Sequence, residues 1–342
     1  MIHLNNIHHQ FDSRAIAGLN GINLKLKKDE ITFLIGPNGS GKTTLLKVLT
    51  GALIPKQGTV ESKLKITTLT EIESRHEDMS IYTYLDEQSK HQIQNEDERH
   101  HEIRESILWL ELTNQIHQPI KHLSAGQRQR VRLACAIMLH ADYLLLDEPF
   151  SHLDHRLRLE LYKMFIDLMK SQKMGSLWVC HEMQDTYQFA ERIILINYGK
   201  IIQDCSPQVL YQKPNSLFSA EFSGAVNALV ATVTQKENNI LHVQTSIGKM
   251  HIECKQNDVL SQPIGNEVLL LIRPEQFELS QNSHDFTFTP KHNYFYGHTT
   301  RYEGAIEQHP MVIEIDANLL INKDKAVKVK INHQKTWILK EI

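Results

Sequence analysis

A mixed α/β domain followed by a smaller all-β domain is the architecture this 342-residue chain predicts, and three observations predict it. Short apolar runs, ITFLI at 31–35, YLLLD at 143–147 and SLWVC at 176–180, alternate with stretches of helical spacing, the pattern of a parallel sheet covered on both faces. The first run opens into a glycine-rich loop and the second ends in paired acids. From Asn227 the texture changes to short alternating segments such as ALVATVT, ILHVQTS, KMHIECK and KAVKVKI, broken by Gly, Asn, Pro and Lys, which reads as a small barrel or sandwich of about 115 residues. The length suits two domains, each with its own core.

Taken in order, the run 31–35 leads into GPNGSGKT at Gly36–Thr43 and then TLLKVLTG, whose helical spacing ends on Gly51. Strand, glycine loop and helix in that order is the context of a phosphate loop. Gly36, Gly39 and Gly41 let consecutive N–H groups turn inward as an anion nest, and the helix N-terminus adds positive potential there. The whole loop, with Pro37, Asn38 and Ser40, is expected to line ATP. Lys42 is expected to reach the β- and γ-phosphates, Thr43 to offer its hydroxyl to Mg²⁺, and Thr44 to donate to a neighbouring phosphate.

Between Tyr82 and Lys121 the chain turns polar and helical, with Ile103, Ile107, Leu108 and Leu110 as an apolar stripe. This predicts a helical subdomain over about 82–135, inserted into the α/β core, with its charges on a solvated face. In LSAGQRQR, Leu123–Arg130, the small residues Ser124, Ala125 and Gly126 stand at a helix start. Backbone N–H groups there suit a phosphate, and Ser124 suits a helix cap. YLLLDEP at Tyr143–Pro149 delivers two carboxylates from the end of a buried strand. Asp147 is expected to hold the Mg²⁺ shell and Glu148 to polarise the attacking water, a general-base role worth about 10²–10⁴ in rate.

Charge is nearly balanced, at 37 basic against 40 acidic residues, so no strong field draws the chain to nucleic acid or anionic lipid. No apolar run approaches the roughly 18 residues of a membrane span, and MIHLNNIHHQ lacks a signal-peptide core, so the chain is expected to be cytosolic or peripheral. Four scattered cysteines, Cys135, Cys180, Cys205 and Cys254, read as reduced thiols. The 20 histidines include the pairs His8–His9 and His100–His101, but neighbours on a helix point about 100° apart and chelate poorly together.

LSAGQ ahead of the acidic strand resembles the signature motif of the ABC (ATP-binding cassette) ATPases, and the resemblance covers residues 1–224. It implies a P-loop nucleotide-binding cassette at 1–224 and places Ser124, Ala125, Gly126 and Gln127 against ATP. By the same resemblance Phe11, 25 residues before Gly36, stacks under adenine. His181 is the switch histidine that contacts the γ-phosphate, and Asp154 in SHLD communicates between two nucleotide sites. The chain departs from the family at Ala125, usually Gly; at Cys135, commonly Arg; and at Glu71, normally the glutamine that bridges the Mg²⁺ site and the transmembrane contact groove. The Glu71 carboxylate is expected to tighten Mg²⁺ use. The implied mechanism pairs two copies head to tail, with Lys42 and Glu148 of one and Ser124 and Gly126 of the other enclosing each ATP.

Residues 225–342, through EFSGAVNALVATV and LLLIRPEQFELS, resemble the appended OB-like regulatory domain of importer ATPases. The partners so implied are a homodimer mate, two membrane-spanning permease subunits and an extracytoplasmic solute-binding protein, at the cytoplasmic face of a bacterial inner membrane. YFYGHTTRYEGAIE, Tyr294–Glu307, resembles the ferric-iron and polyamine branches, and ferric iron is the expected solute. The competing class, an ATP-switched nucleic-acid factor, is opposed by the lack of a second cassette, a long coiled coil or a basic excess.

Overall fold

The computed structural model describes residues 1–11, 18–69, 72–138, 140–151, 153–253, 262–282, 286–319, 321–322 and 325–339. Its contacts divide the chain into two compact units, Met1–Pro207 and Gln208–Ile342.

In the first unit, strands β1 (Ile2–Gln10), β2 (Gly18–Leu26) and β3 (Ile31–Ile35) precede helix α1 (Lys42–Leu49). Strands β4 (Gln57–Ser62) and β5 (Ile66–Thr68) lead to helices α2 (Ile81–Ser89), α3 (Glu96–Trp109) and α4 (Ala125–Met138). Strands β6 (Tyr143–Asp147), β7 (Gly175–Val179), β8 (Arg192–Asn197) and β9 (Lys200–Cys205) follow, with α5 (His155–Ser171) between β6 and β7 and α6 (Met183–Phe189) between β7 and β8. The main sheet has the order β5-β6-β7-β3-β8-β9, parallel except for β9, and a three-stranded antiparallel sheet has the order β2-β1-β4.

Each central strand is buried on both faces, as its apolar sequence requires. Phe33, Leu144, Leu146 and Trp178 face one core with α2–α5, and Leu34, Tyr143, Leu145 and Val179 face another with α1 and the β1–β2 sheet. Phe33 stacks on Trp178 with ring centroids 5.5 Å apart, and Phe150, Tyr162 and Phe165 pack around the same indole.

The inserted helical segment is α2–α4. Its α3 begins under an Asn95 cap, with Glu96, Asp97 and Glu98 in the first turn, where carboxylates oppose the helix dipole. Of the expected stripe, Ile103, Ile107 and Leu110 are buried, but Leu108 is 61% exposed. Ile103, Ile107 and Leu110 follow i, i+4, i+7 spacing; Leu108 lies about 100° round the helix from Ile107 and faces solvent.

In the second unit, α7 (Pro207–Gln212) begins at the division and α8 (Leu217–Ser223) follows. The strands are β10 (Asn227–Glu237), β11 (Ile240–Thr245), β12 (Gly248–Glu253), β13 (Glu267–Ile272), β14 (Phe277–Ser280), β15 (Phe286–Phe295), β16 (Thr299–Ile306), β17 (His309–Asp316), β18 (Val327–Ile331) and β19 (Trp337–Leu339). They form two antiparallel five-stranded sheets, β12-β11-β10-β13-β19 and β14-β18-β15-β16-β17, the all-β domain expected. Inward residues of both, including Leu229, Val243, Leu270, Phe288, Tyr302 and Ile313, share one core. Buried Asn227 ties the sheets together, accepting from Val312 N at 2.7 Å and donating to its carbonyl at 2.8 Å. Where the sequence expectation sets a boundary at 224/225, the contacts divide at 207/208, because α8 packs through Leu217 and Ala220 on Leu269, Leu271 and Leu339.

Candidate nucleotide site

Register brings the sequence motifs together. Leu34 of β3 and Asp147 of β6 both pair with Val179 of β7, so the carboxyl ends of three adjacent parallel strands lie level. The glycine loop leaves the first, Asp147 and Glu148 the second, and His181 the third. Carboxyl ends of parallel strands are where open α/β sheets bind ligands.

The loop's backbone demands glycine. Gly41 has φ +109°, and a Cβ there would meet Gly18 O at 2.6 Å; at Gly36, φ +155°, it would meet Ile196 O at 2.1 Å. Gly41 precedes α1 without any side-chain cap, and the first turn holds no acid, so its N–H groups and positive end face the loop. Ser40 is 3% exposed and its Oγ lacks a hydrogen-bond partner among the described residues. Lys42 arches back over the loop, its Nζ donating to Gly36 O at 2.8 Å and Pro37 O at 2.9 Å. Burial lowers the Lys42 pKa from its ordinary value, against the pull of the Glu148 and Asp147 carboxylates.

At the second strand end, desolvation and the adjacent Glu148 carboxylate raise the Asp147 pKa, against Lys42 and His181. Glu148 sits in the left-handed region at φ +46°, a strained conformation for a non-glycine residue. Its N–H donates to Val179 O at 3.2 Å, and this bond between strand ends holds it there. The turn aims Glu148 Oε1 at His181 Nε2, 2.6 Å away. Two residues 33 apart in sequence thus form one acid–imidazole pair.

Ser124 and Gln127 form a reciprocal capping box at the head of α4: Gln127 N donates to Ser124 Oγ at 3.3 Å and Ser124 N to Gln127 Oε1 at 2.9 Å. Gly126 is buried where a Cβ would lie 3.0 Å from Leu157 of α5, while Ala125 is exposed. Ala125 shares a cleft of about 700 Å³ with Thr43, Asp147 and Glu148; Ser124, Gly126 and Gln127 do not line it. Asp154 caps α5, accepting from Leu157 N at 3.0 Å. Phe11 is 55% exposed and its ring meets His9 edge-on at 4.9 Å. Glu71 and Cys254 lie outside the described residues. Among those described, no three His, Cys, Asp or Glu side chains are grouped to hold a metal, and no helix is long and apolar enough to cross a membrane.

Some residues of the site carry no sequence signal. Gln129 of α4 donates to Pro149 O at 2.6 Å, and Arg132 joins Gln129 Oε1 to Leu69 O, so α4 grips the end of the acidic strand. Behind Glu148 and His181, Arg158 of α5 pairs with buried Asp185 of α6 at 3.0 Å.

The ABC transporter family model matches residues 19–151. The chain is 30% identical over 312 residues to a spermidine/putrescine import ATP-binding protein of Oleidesulfovibrio alaskensis, covering 87% of this chain and 81% of the relative. It is 34% identical to a sulfate/thiosulfate import ATP-binding protein of Nitrosomonas europaea, over 68% of each. It is 32% identical to an Fe(3+) ions import ATP-binding protein of Mannheimia succiniciproducens, over 65% of this chain and 66% of the relative. Among solved structures, the ADP conformation of an ATP-binding cassette of an ABC transporter superposes with a TM-score of 0.59 at 19% identity, covering 65% of this chain and 97% of that one.

Proposed function

The chain belongs to the ABC transporter family as an importer-type ATPase, its hydrolysis coupled to transport, and from that premise we propose that it energises uptake of a polyamine. The observation that carries the ATPase half of this reading is the level alignment of three strand ends, which joins the glycine loop, Asp147–Glu148 and His181 in one place. The solute rests on coverage. The polyamine relatives match 82–87% of the chain, whereas the sulfate and iron relatives match 68% and 65%. Ferric iron, the expectation from Tyr294–Glu307, is the second reading.

The residues fit a nucleotide and its metal: a helix N-terminus without a side-chain cap and a buried Ser40 hydroxyl without a partner among the described residues, and hard oxygen donors on Thr43 and Asp147 beside one cleft. Thr43 and Asp147 would hold Mg²⁺, whose positive charge would offset that of the phosphates. In our reading the loop N–H groups and Lys42 cradle the β- and γ-phosphates, Lys42 exchanging its two carbonyl contacts for phosphate oxygens. Glu148 polarises the attacking water. His181, hydrogen-bonded to it, holds that carboxylate in place and reaches the γ-phosphate. Positioning and charge stabilisation supply the rate.

Ser124, Ala125, Gly126 and Gln127 are assigned to the ATP of a second copy, Phe11 to adenine stacking, Glu71 to Mg²⁺ and Asp154 to communication between the sites. ATP thereby favours the closed one of two global states. The pair would act on two membrane-spanning subunits and a solute-binding protein at the cytoplasmic face of the membrane. Disrupting the gene in its host and measuring uptake of labelled spermidine, ferric iron and sulfate tests the solute. Loss of spermidine uptake, restored by the wild-type chain but not by Glu148→Gln, is expected. Loss of iron uptake alone would overturn the polyamine reading.

A further inference from the structure

We propose that the β-rich unit carries a surface metal site, in which His242 of β11 and His251 of β12 take a tetragonal divalent transition ion, Cu²⁺ or Ni²⁺, on their Nδ1 atoms. Strand register places them. His242 and His251 are direct cross-strand partners, and alternation along both strands buries Leu241, Val243, Met250 and Ile252 while leaving the two imidazoles on the outer face. Directly opposed side chains of an antiparallel pair start about 4.5–5.5 Å apart at Cβ, so both rings can turn toward one point. Their Nδ1 atoms lie 2.7 Å apart, with ring centroids 4.6 Å apart and planes at 73°. His251 is exposed and the His242 side chain is 22% exposed, so an ion can reach the pair from solvent as the His251 ring turns.

The far side of the His242 ring suits a ligand role. Its Nε2 is buried and has no hydrogen-bond partner among the described residues, and it faces Glu237 Oε2 at 3.8 Å. A carboxylate on that side favours the proton on Nε2 and leaves the lone pair on Nδ1, as in metal-ligating histidines whose outer N–H points at a carboxylate. Gln235, opposite His242 on β10, donates to Glu237 Oε1 at 2.5 Å and steadies that carboxylate. Without metal, His251 Nδ1 donates its proton to the His242 Nδ1 lone pair. With metal, the His251 proton sits on Nε2 instead, so both rings stay neutral and both Nδ1 lone pairs meet the ion. The spacing selects that ion. With imidazole bonds of about 2.0–2.1 Å, nitrogens at a right angle stand about 2.9 Å apart and those at a tetrahedral angle about 3.3 Å. The observed 2.7 Å is nearer the right angle, which Cu²⁺ and Ni²⁺ accept and tetrahedral Zn²⁺ does not. Among the described residues no third His, Cys, Asp or Glu side chain completes the set, so water would fill the other positions. The pair lies in the unit that does not hold the nucleotide motifs, and its metal is independent of the ATPase reading and of the transported solute.

Calorimetric titration of the untagged full-length chain with Cu²⁺, Ni²⁺ and Zn²⁺, without nucleotide, tests the proposal, together with electron paramagnetic resonance of the copper-loaded chain. The wild-type chain is expected to bind one more Cu²⁺ than either His242→Gln or His251→Gln, and to show an axial copper signal with two nitrogen donors that both variants lose. At this site Zn²⁺ should bind at least about tenfold more weakly than Cu²⁺. Glu237→Gln, which touches neither Nδ1 atom, should keep the extra ion but weaken it about 10- to 100-fold, with an unchanged Tm in the absence of metal. Equal copper stoichiometry in the wild-type chain and the histidine variants, Zn²⁺ bound at the pair as tightly as Cu²⁺, or an unaltered affinity in Glu237→Gln would each overturn it.

Discussion

Asp147 illustrates how the site trades stability for chemistry. Its carboxyl titrates above the ordinary carboxylate value because burial and the Glu148 charge disfavour ionisation. The folded chain therefore holds a proton over a pH window in which the unfolded chain has released it, and the stability this group contributes is lost as pH rises through that window. Asp147→Asn should accordingly raise Tm near neutral pH and flatten its dependence in the acid range, while ATPase activity collapses. A scan of Tm against pH checks both signs, and a lower Tm in the variant would contradict the electrostatic account. Glu148 and His181 should behave as one unit. Glu148→Gln should lower kcat by about 10²–10⁴, and adding His181→Ala should lower it by much less than the product of the two single effects. Multiplicative losses would show that the 2.6 Å contact has no catalytic consequence.

Among the elements, α4 links the chemistry to the packing. Its capping box predicts that Ser124→Ala destabilises the cassette by about 1 kcal/mol, read as a lower urea midpoint, whatever further loss of ATPase activity follows from the role proposed for Ser124. Gly41 is less forgiving. At φ +109° with Gly18 O 2.6 Å from a would-be Cβ, Gly41→Ala must distort the start of α1, so nucleotide binding should fall below detection while β3 and β6 remain folded. The loop and the strand ends were legible in the sequence because each is contiguous, and a phosphate cradle is built from consecutive N–H groups. The Gln129–Pro149 contact and the Arg158–Asp185 pair were not, because they depend on how α4, α5 and α6 pack against one another. Leu108 was misassigned for a related reason: a run of apolar residues at a helix end does not reveal which of them keeps phase with the core.

For the whole molecule, the two units have separate cores, and the cassette's motifs lie within Met1–Pro207. A chain ending at 207 should bind ATP as tightly as the full chain. One ending at 224 should be less soluble, because α8 would lose its cover of Leu269, Leu271 and Leu339. The change in texture at Asn227 announced the all-β unit, but the membership of α8 is set by apolar contacts, and that of α7 by the contacts of Tyr211 with Arg273 and Glu275, made with residues far along the chain. One chain supplies the glycine loop, Glu148 and His181 at a common edge, and Ala125 lines the cleft that holds Thr43 and Asp147. The reading proposed above encloses each ATP between two copies of the chain. Sedimentation of Glu148→Gln under saturating ATP and Mg²⁺ tests this most directly. A species of twice the monomer mass, dispersed when Ser124 is also replaced by a bulky residue, is predicted; a persistent monomer would contradict the shared nucleotide site.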